Sequence, residues 1–231
     1  MRRLISRPPI VSADIEQRLR RIEKKRRLLR RAARVTPLSI QLLARFTVAS
    51  FRMEDMAIGP EDVQGALARA ANRGQLRSGF RLRIRNHIAI LRHIELMNRR
   101  RQELTVPVVV RWYTSIGCGL AMAGLDYARS RHLEQHLRQI NSPQLRLWPA
   151  VDQVAQMHVH LLSDPVFPGF NGILARLLLQ YHLARCQLAP VLFDAEQDRA
   201  TCASATALAL RLLELIDESY AVLLASTAGI R

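Results

Sequence analysis

A glycine-containing turn that leads into an apolar segment is the part of this sequence best suited to bind a charged ligand. The turn spans residues 168–172, and Arg176 follows it within the next helical turn. Backbone N–H groups at such a turn, directed outward from a helix N-terminus, form a binding site for a phosphate-sized anion. A nearby arginine adds a forked, permanently charged donor. The sequence therefore predicts a phosphate-binding site at Gly169, Asn171, Gly172 and Arg176.

Two helices are predicted on either side of this turn. Before it, apolar residues recur at helical spacing, namely Val151, Val154, Met157 and Leu161. After it, residues 174–188 are almost continuously apolar, which is typical of a buried helix. We therefore expect the turn to be fixed between a helix that lines the core and one that crosses it.

These residues resemble the motif of the Fic/Doc family of AMP-transferring enzymes, His-Pro-Phe-x-Asp/Glu-Gly-Asn-Gly-Arg-x-x-Arg, which lies between two helices. Asn171-Gly172, Arg176 and the later Ala189-Pro190-Val191 match the family. His158 also lies where the family often has a histidine, seven residues before the catalytic one. The resemblance implies an all-α fold, a single helical Fic-like domain, and the whole chain is expected to have about seven to eight helices preceded by a basic N-terminal helix. It also implies a pocket formed with His158, Phe167 and Phe170.

The sequence departs from the family at the positions that carry the chemistry. In an ungapped alignment, Pro165 replaces the catalytic histidine, Gly169 the metal-binding acid and Ile173 the first arginine. If Phe170 is an insertion, Asp164-Pro165 stands in for the His-Pro pair. The family's histidine takes a proton from a target hydroxyl, and such general-base help is worth about 10²–10⁴-fold. The resemblance therefore implies the fold and a phosphate site, but not ordinary AMP transfer.

A second stretch, Ser50-x-x-x-Glu54, resembles the inhibitory helix of many Fic proteins. There, Ser/Thr-x-x-x-Glu-Gly/Asn places a glutamate in the γ-phosphate position and holds the enzyme inactive. Ser50 and Glu54 fit this pattern, and Asp55 departs from it at the last position. A regulatory role for Ser50 and Glu54 is one interpretation, and an ordinary surface glutamate is the other. If transfer has been lost, Glu54 is expected to pair with Arg176.

Three functions from different classes are open. In the first, which we prefer, a degenerate Fic-like protein binds a nucleotide or other phosphorylated ligand at residues 169–176 without transferring it. In the second, a transferase or small-metabolite enzyme of altered chemistry uses the same pocket, with Asp164 or His160 as the base. In the third, the N-terminal arginine helix binds nucleic acid or an acidic partner. A nucleotide is the candidate cofactor, Mg²⁺ is left open, and a protein partner or a homodimer is a further candidate.

Positive charge is concentrated at the start of the chain. The protein has 35 Lys and Arg against 19 Asp and Glu, a net charge of +16. Residues 1–34 alone hold 13 basic and 3 acidic residues, an excess of 10. Ile15, Leu19 and Ile22 recur there at helical spacing, which predicts a basic amphipathic helix. We therefore divide the chain into a basic leader and helix, residues 1–34, and a Fic-like helical domain, residues 35–231.

The cysteines, the apolar segments and the histidines give further expectations about compartment and structure. An odd number of cysteines, Cys118, Cys186 and Cys202, with no close pairing indicates reduced core thiols and a cytoplasmic protein. The sequence has no run of about 20 apolar residues, so we predict no membrane span. Val106–Val110 is β-branched and alone would suggest a strand, whereas the resemblance makes it the start of a helix. The resemblance to the Fic/Doc family also suggests that residues 141–148 form a flap, the segment that clamps the target protein in that family. We predict no metal site, and we expect the histidines on apolar helices, His87, His93 and His182, to be structural.

Overall fold

A computed structural model describes residues 13–32, 38–68, 79–118 and 127–228. Residues 1–12, 33 and 34 of the predicted N-terminal segment lie outside these ranges. The helices are α1 (Ala13–Ala32), α2 (Ile40–Arg52), α3 (Pro60–Ala68), α4 (Gly79–Arg99), α5 (Val106–Gly117), α6 (Tyr127–Asn141), α7 (Leu147–Ser163), α8 (Asn171–Arg185), the short α9 (Ala195–Asp198) and α10 (Ala205–Ala228). Within the described ranges there is no strand, so the all-α prediction is confirmed.

Helix α5 shows why the β-branched run at residues 106–110 does not form a strand. Thr105 is extended and precedes the helix, and a proline lies in the first turn, where its missing N–H costs nothing. Val109, Trp112 and Ile116 are buried along one side of the helix. This burial at helical spacing outweighs the β-propensity of the valines, because propensity is a weak preference beside tertiary packing. The helix predicted from the resemblance is therefore present.

Helix α8 is the centre of the core. Every residue from Gly172 to Leu183 is buried except Gln180. The helix packs against α7 along much of its length and also against α4. A helix that is apolar on all sides is expected in the centre of a bundle rather than at its surface. Because α8 begins at the glycine-containing turn, this packing fixes the position of that turn.

Helix α1 is docked on α10 by one apolar stripe and by several of its basic side chains. Ile22 is fully buried between the helices. Arg21 and Lys25 each form an ion pair of 2.7 Å with Asp217 on α10. Arg26 is buried and donates to the carbonyl oxygens of Cys186 (2.9 Å) and of other residues at the end of α8 and before α7. None of the described helices is both long enough and apolar enough to cross a membrane.

Candidate functional site

The structure brings Ser50, Glu54 and Arg176 into one cluster, although 122 residues separate the two charges. Glu54 lies in the turn that ends α2, and Arg176 lies in the second turn of α8. Arg176 Nη2 donates to Glu54 Oε1 and to the Ser50 carbonyl oxygen, each at 2.7 Å. Arg176 Nε donates to Ser50 Oγ at 3.0 Å. The ion pair between Glu54 and Arg176 that the sequence analysis considered is therefore present.

Glu54 also covers the N-terminus of α8. A methyl group added at Gly172 would overlap the Glu54 carboxylate, so the absence of a side chain at Gly172 makes room for it. The first turn of a helix presents unpaired N–H groups and the positive end of the helix dipole. The protein's own carboxylate therefore lies where the sequence predicted a bound anion.

Burial controls the electrostatics of this cluster. Arg176 is 5% exposed, and burial lowers its pKa, while the Glu54 carboxylate opposes that shift. The cavity beside the guanidinium is about 20 Å³, and Ser50, His87 and Phe193 are among its lining residues. This is space for roughly one water molecule, far less than a nucleotide requires. In this arrangement a phosphorylated ligand can reach Arg176 only if Glu54 moves.

The turn before α8 is held by its own side chains. Asn171 Oδ1 accepts the backbone N–H groups of Val166 (3.2 Å) and Phe167 (3.3 Å), and Asn171 Nδ2 donates to the Leu161 carbonyl oxygen. The Asn171 side chain is thus committed to the turn, and only its backbone remains for an anion. Gly169 has φ +78°, a left-handed conformation that glycine adopts without strain.

Three residues predicted to form a pocket are held by packing contacts. His158, Phe167 and Phe170 do not line the cavity beside Arg176. Phe167 is buried against Tyr113, with ring centroids 5.3 Å apart, and the Arg83 guanidinium lies 4.6 Å from the Phe170 ring centroid. The prediction of a shared pocket placed them beside the ligand because of their positions in the motif. In this arrangement the three side chains are held by these contacts, and their part in a ligand pocket stays a prediction.

His158 is neutral and fixed. Its Nδ1 lies 3.2 Å from the Ala175 carbonyl oxygen, to which the ring N–H donates, and its ring stacks on Phe193. Burial, with the nearby Arg176 charge second, lowers the pKa of His158 to about 3. An imidazole that is buried and already hydrogen-bonded in this way is a structural residue.

The two candidate bases lie in a separate cluster with two histidines that the sequence analysis missed. Asp164 Oδ2 lies 3.1 Å from His132 Nδ1, and His160 Nε2 lies 3.1 Å from His132 Nε2. His136, one turn along α6, completes a group whose nitrogen atoms all lie within 4.8 Å of one another. The missed signal is His132-x-x-x-His136, which places two imidazoles on one face of a helix.

The comparisons with known proteins decide the fold. No family model matches the chain, and no curated protein matches it in sequence. A Fic domain containing signaling protein from Bacteroides thetaiotaomicron superposes with a TM-score of 0.69 at 13% identity, covering 92% of this chain and 97% of that one. The chain has the Fic fold. Fic-1 from C. elegans superposes with a TM-score of 0.64 at 15% identity, over 96% of this chain and 76% of that one.

The backbone at Asp55 shows why aspartate is tolerated where the inhibitory pattern has glycine or asparagine. Asp55 has φ +57°, in the left-handed region where glycine and asparagine are most common and aspartate is tolerated. Asp55 also forms an exposed ion pair with Arg199 at 2.8 Å. The substitution of Asp for Gly or Asn at this position is therefore compatible with the same chain reversal.

The basic helix retains only part of its charge for an external partner. Arg18 pairs with Glu214, and Arg21, Lys25 and Arg26 make the contacts described above. Arg20, Lys24 and Arg27 are exposed and lie along one side of α1. Nucleic-acid binding by residues 1–34 stays a prediction, and these outward basic residues of α1 are available to contribute to it.

Proposed function

We propose that this Fic-fold protein binds a nucleotide or related phosphorylated ligand at the N-terminus of α8, and that Glu54 closes the site when no ligand is bound. The observation that carries the proposal is the position of the Glu54 carboxylate, which pairs with Arg176 and packs on Gly172. A carboxylate and a phosphate group require the same surroundings, namely N–H donors and a guanidinium. The protein therefore supplies its own substitute for the ligand.

The surroundings of Glu54 favour a phosphate over other anions. Arg176 offers a planar fork of donors, and the start of α8 at Asn171 and Gly172 offers backbone N–H groups, whereas the Phe170 N–H is bonded to the Phe167 carbonyl oxygen. A multiply charged phosphate gains more than a single carboxylate from the same donors. It would displace Glu54 toward solvent, to which that side chain is already 28% exposed.

Ordinary AMP transfer is not part of the proposal. Under either alignment a histidine is missing from the base position, which Pro165 or Asp164 occupies. In the ungapped alignment, Gly169 stands where the family has its metal-binding acid and has no side chain with which to hold Mg²⁺. The family's inhibitory glutamate restrains an enzyme, whereas here the same contact would regulate ligand binding alone.

Calorimetry of the full chain with ATP, ADP and pyrophosphate tests this function. Glu54→Gln removes the carboxylate charge and retains the shape, so it should bind ATP at least about tenfold more tightly than the wild type, a difference of about 1.4 kcal/mol. Asp55→Asn is the matched control, because it removes a neighbouring charge that contacts neither Arg176 nor Gly172, and it should bind like the wild type.

Two further measurements complete the test. Arg176→Lys in the Glu54→Gln background should abolish the gain, since lysine cannot reproduce the forked contact. Omitting Mg²⁺ should change the affinity little, because Gly169 replaces the metal-binding acid. Equal ATP affinity of Glu54→Gln and wild type, or no ATP binding by either protein, would contradict the proposal.

A further inference from the structure

Three histidines from two helices converge at the end of α7. His132 and His136 lie one turn apart on α6, and His160 lies on the last turns of α7. The ring centroids are 4.3 Å apart for His132 and His136, 5.2 Å for His132 and His160, and 4.8 Å for His136 and His160. Each ring therefore contacts both of the others, and the three form one cluster.

One pair of nitrogen atoms already has the separation that a small tetrahedral cation requires, and the third lies within 4.8 Å, so the His136 ring would move inward when an ion binds. His132 Nε2 and His160 Nε2 are 3.1 Å apart. Two imidazole nitrogens bound to one Zn²⁺ at about 2.0–2.1 Å lie roughly 3.3 Å from each other. Binding an ion between these two rings would thus require a shift of only a few tenths of an ångström, within the ordinary motion of side chains.

His136 supplies a second, independent observation. The residue is 5% exposed, and its Nε2 atom is buried without a hydrogen-bond partner in the part of the chain that the structure describes. Buried polar atoms are nearly always paired, so such an atom requires an explanation. Its ring faces His132 and His160, and a cation bound among the three rings would pair with that nitrogen.

Asp164 gives His132 the tautomer that metal binding requires. Because Asp164 Oδ2 lies 3.1 Å from His132 Nδ1, that nitrogen carries the proton and Nε2 presents its lone pair. The short contact between the two Nε2 atoms then has His160 as donor and His132 as acceptor. A carboxylate that orients a ligand histidine from behind is the usual outer contact of zinc sites. His160 is exposed, so its proton can move to the solvent-facing nitrogen when a cation binds.

We propose that His132, His136 and His160 bind one zinc-like divalent cation through their Nε2 atoms, with Asp164 as a positioning residue. Three imidazoles favour Zn²⁺, Co²⁺, Ni²⁺ or Cu²⁺ over Mg²⁺ and Ca²⁺, which prefer oxygen ligands. Because His160 faces solvent, the fourth position is open to water, an arrangement with three protein ligands and one exchangeable site. The site does not depend on the proposed function, because none of its residues takes part in the cluster of Ser50, Glu54 and Arg176.

Zinc titration of the tag-free full chain, after dialysis against a chelator, tests the site. We expect one Zn²⁺ per chain by calorimetry, a visible absorption spectrum typical of tetrahedral coordination with Co²⁺, and no binding of Mg²⁺. His160→Ala removes an exposed ligand and leaves the buried His136 in place, so the protein should fold and lose at least about a hundredfold in zinc affinity.

Two further variants distinguish residues that support the zinc site from histidines that lie outside it. Asp164→Asn should weaken zinc binding by roughly 10–100-fold, as expected for an outer contact. His93→Gln, which removes a histidine of α4 outside the cluster, should bind like the wild type. Zinc affinity that is the same for wild type and His160→Ala, or the lack of a 1:1 complex at micromolar zinc, would overturn the proposal.

Discussion

The two polar clusters of this molecule differ in how their polar atoms are satisfied. Around Arg176, the guanidinium is buried and bonded to the protein's own Glu54 and Ser50. Around His136, a ring nitrogen is equally buried but has no partner among the described residues. The first cluster is complete without a ligand, and a ligand must displace an internal group. The second is incomplete at His136 Nε2, and a cation would pair that nitrogen at the cost of one exposed hydrogen bond, between His132 and His160. The same degree of burial therefore indicates a closed site in one place and an open one in the other.

The largest effect that can test this difference is loss of the Arg176 ion pair. Arg176→Met keeps much of the side-chain volume but leaves Glu54 and Ser50 without their donor. Removing one partner of a buried pair costs about 3–5 kcal/mol, and we expect about 3 because Glu54 is partly exposed. The midpoint of thermal unfolding should fall by roughly 6–12 °C.

Arg199→Met is the matched control for that measurement. It breaks the exposed pair of Arg199 with Asp55 and the exposed hydrogen bonds of Arg199 to the carbonyl oxygens of Arg52 and Met53. Because all of these contacts face solvent, we expect their loss to cost about 1 kcal/mol. Adding Glu54→Gln to Arg176→Met should restore part of the loss, because the unpaired carboxylate is then removed. Equal stability of Arg176→Met and Arg199→Met would show that the Arg176 cluster is not the self-satisfied site described here.

A smaller effect is expected at Gly172. The methyl group of Gly172→Ala would overlap the Glu54 carboxylate and should cost about 1–2 kcal/mol as the packing adjusts. In a Glu54→Ala background the same change should be neutral or stabilising by up to about 1 kcal/mol, since alanine favours the helix. Chemical denaturation of the four proteins measures this coupling. If the cost of Gly172→Ala were the same in both backgrounds, Glu54 would not occupy the end of α8 in solution.

The smallest effect concerns His182. This residue shows what a buried, unpaired histidine does when no other histidine lies beside it. Like His136 it has a buried, unpartnered nitrogen, but it does not belong to the group of three converging histidines. Burial lowers the pKa of His182 from 6.5 to about 4. The unfolded chain therefore takes up a proton that the folded chain does not, and this histidine's contribution is present above pH 6.5 and is lost as the pH falls toward 4.

His182→Leu removes that loss. Between pH 7.5 and 5.5 the variant should lose about 1 kcal/mol less stability than the wild type, within the limit of 1.4 kcal/mol per pH unit for one group. Denaturation curves at the two pH values, recorded with a chelator present, measure the difference. Zinc binding at pH 7.5 should be unchanged by the substitution. Parallel pH profiles for the two proteins would contradict the assignment of His182 as a buried neutral ring.

The sequence predicted the fold and the closed cluster more fully than the open one. Ser50-x-x-x-Glu54 and Arg176 were expected to meet because a resemblance placed them on known elements of the Fic fold. Their distance in the chain hides the contact from any argument based on spacing. In contrast, His132-x-x-x-His136 could have been recognised by spacing alone, and its third member comes from a helix that only packing brings near.

The neighbouring histidines of α7 show why local pattern is insufficient. His158 and His160 are two residues apart and therefore face different sides of the helix. His158 is buried against Ala175, whereas His160 is exposed and contacts His132 of α6. The apolar stripe of Val151, Val154 and Leu161 includes His158 at helical spacing and so indicates the core side, whereas the contact of His160 with α6 follows only from the packing of the helices.

The contact between α1 and α10 has a consequence for how this protein is made. Lys25 is bonded to Asp217, which follows it by 192 residues. At about 5–20 residues per second on the ribosome, the first helix waits roughly ten to forty seconds for its partner to be synthesised. During that interval Ile22 and the arginines of α1 are without the surface that later covers them. We therefore expect α1 to dock only after α10 has been synthesised.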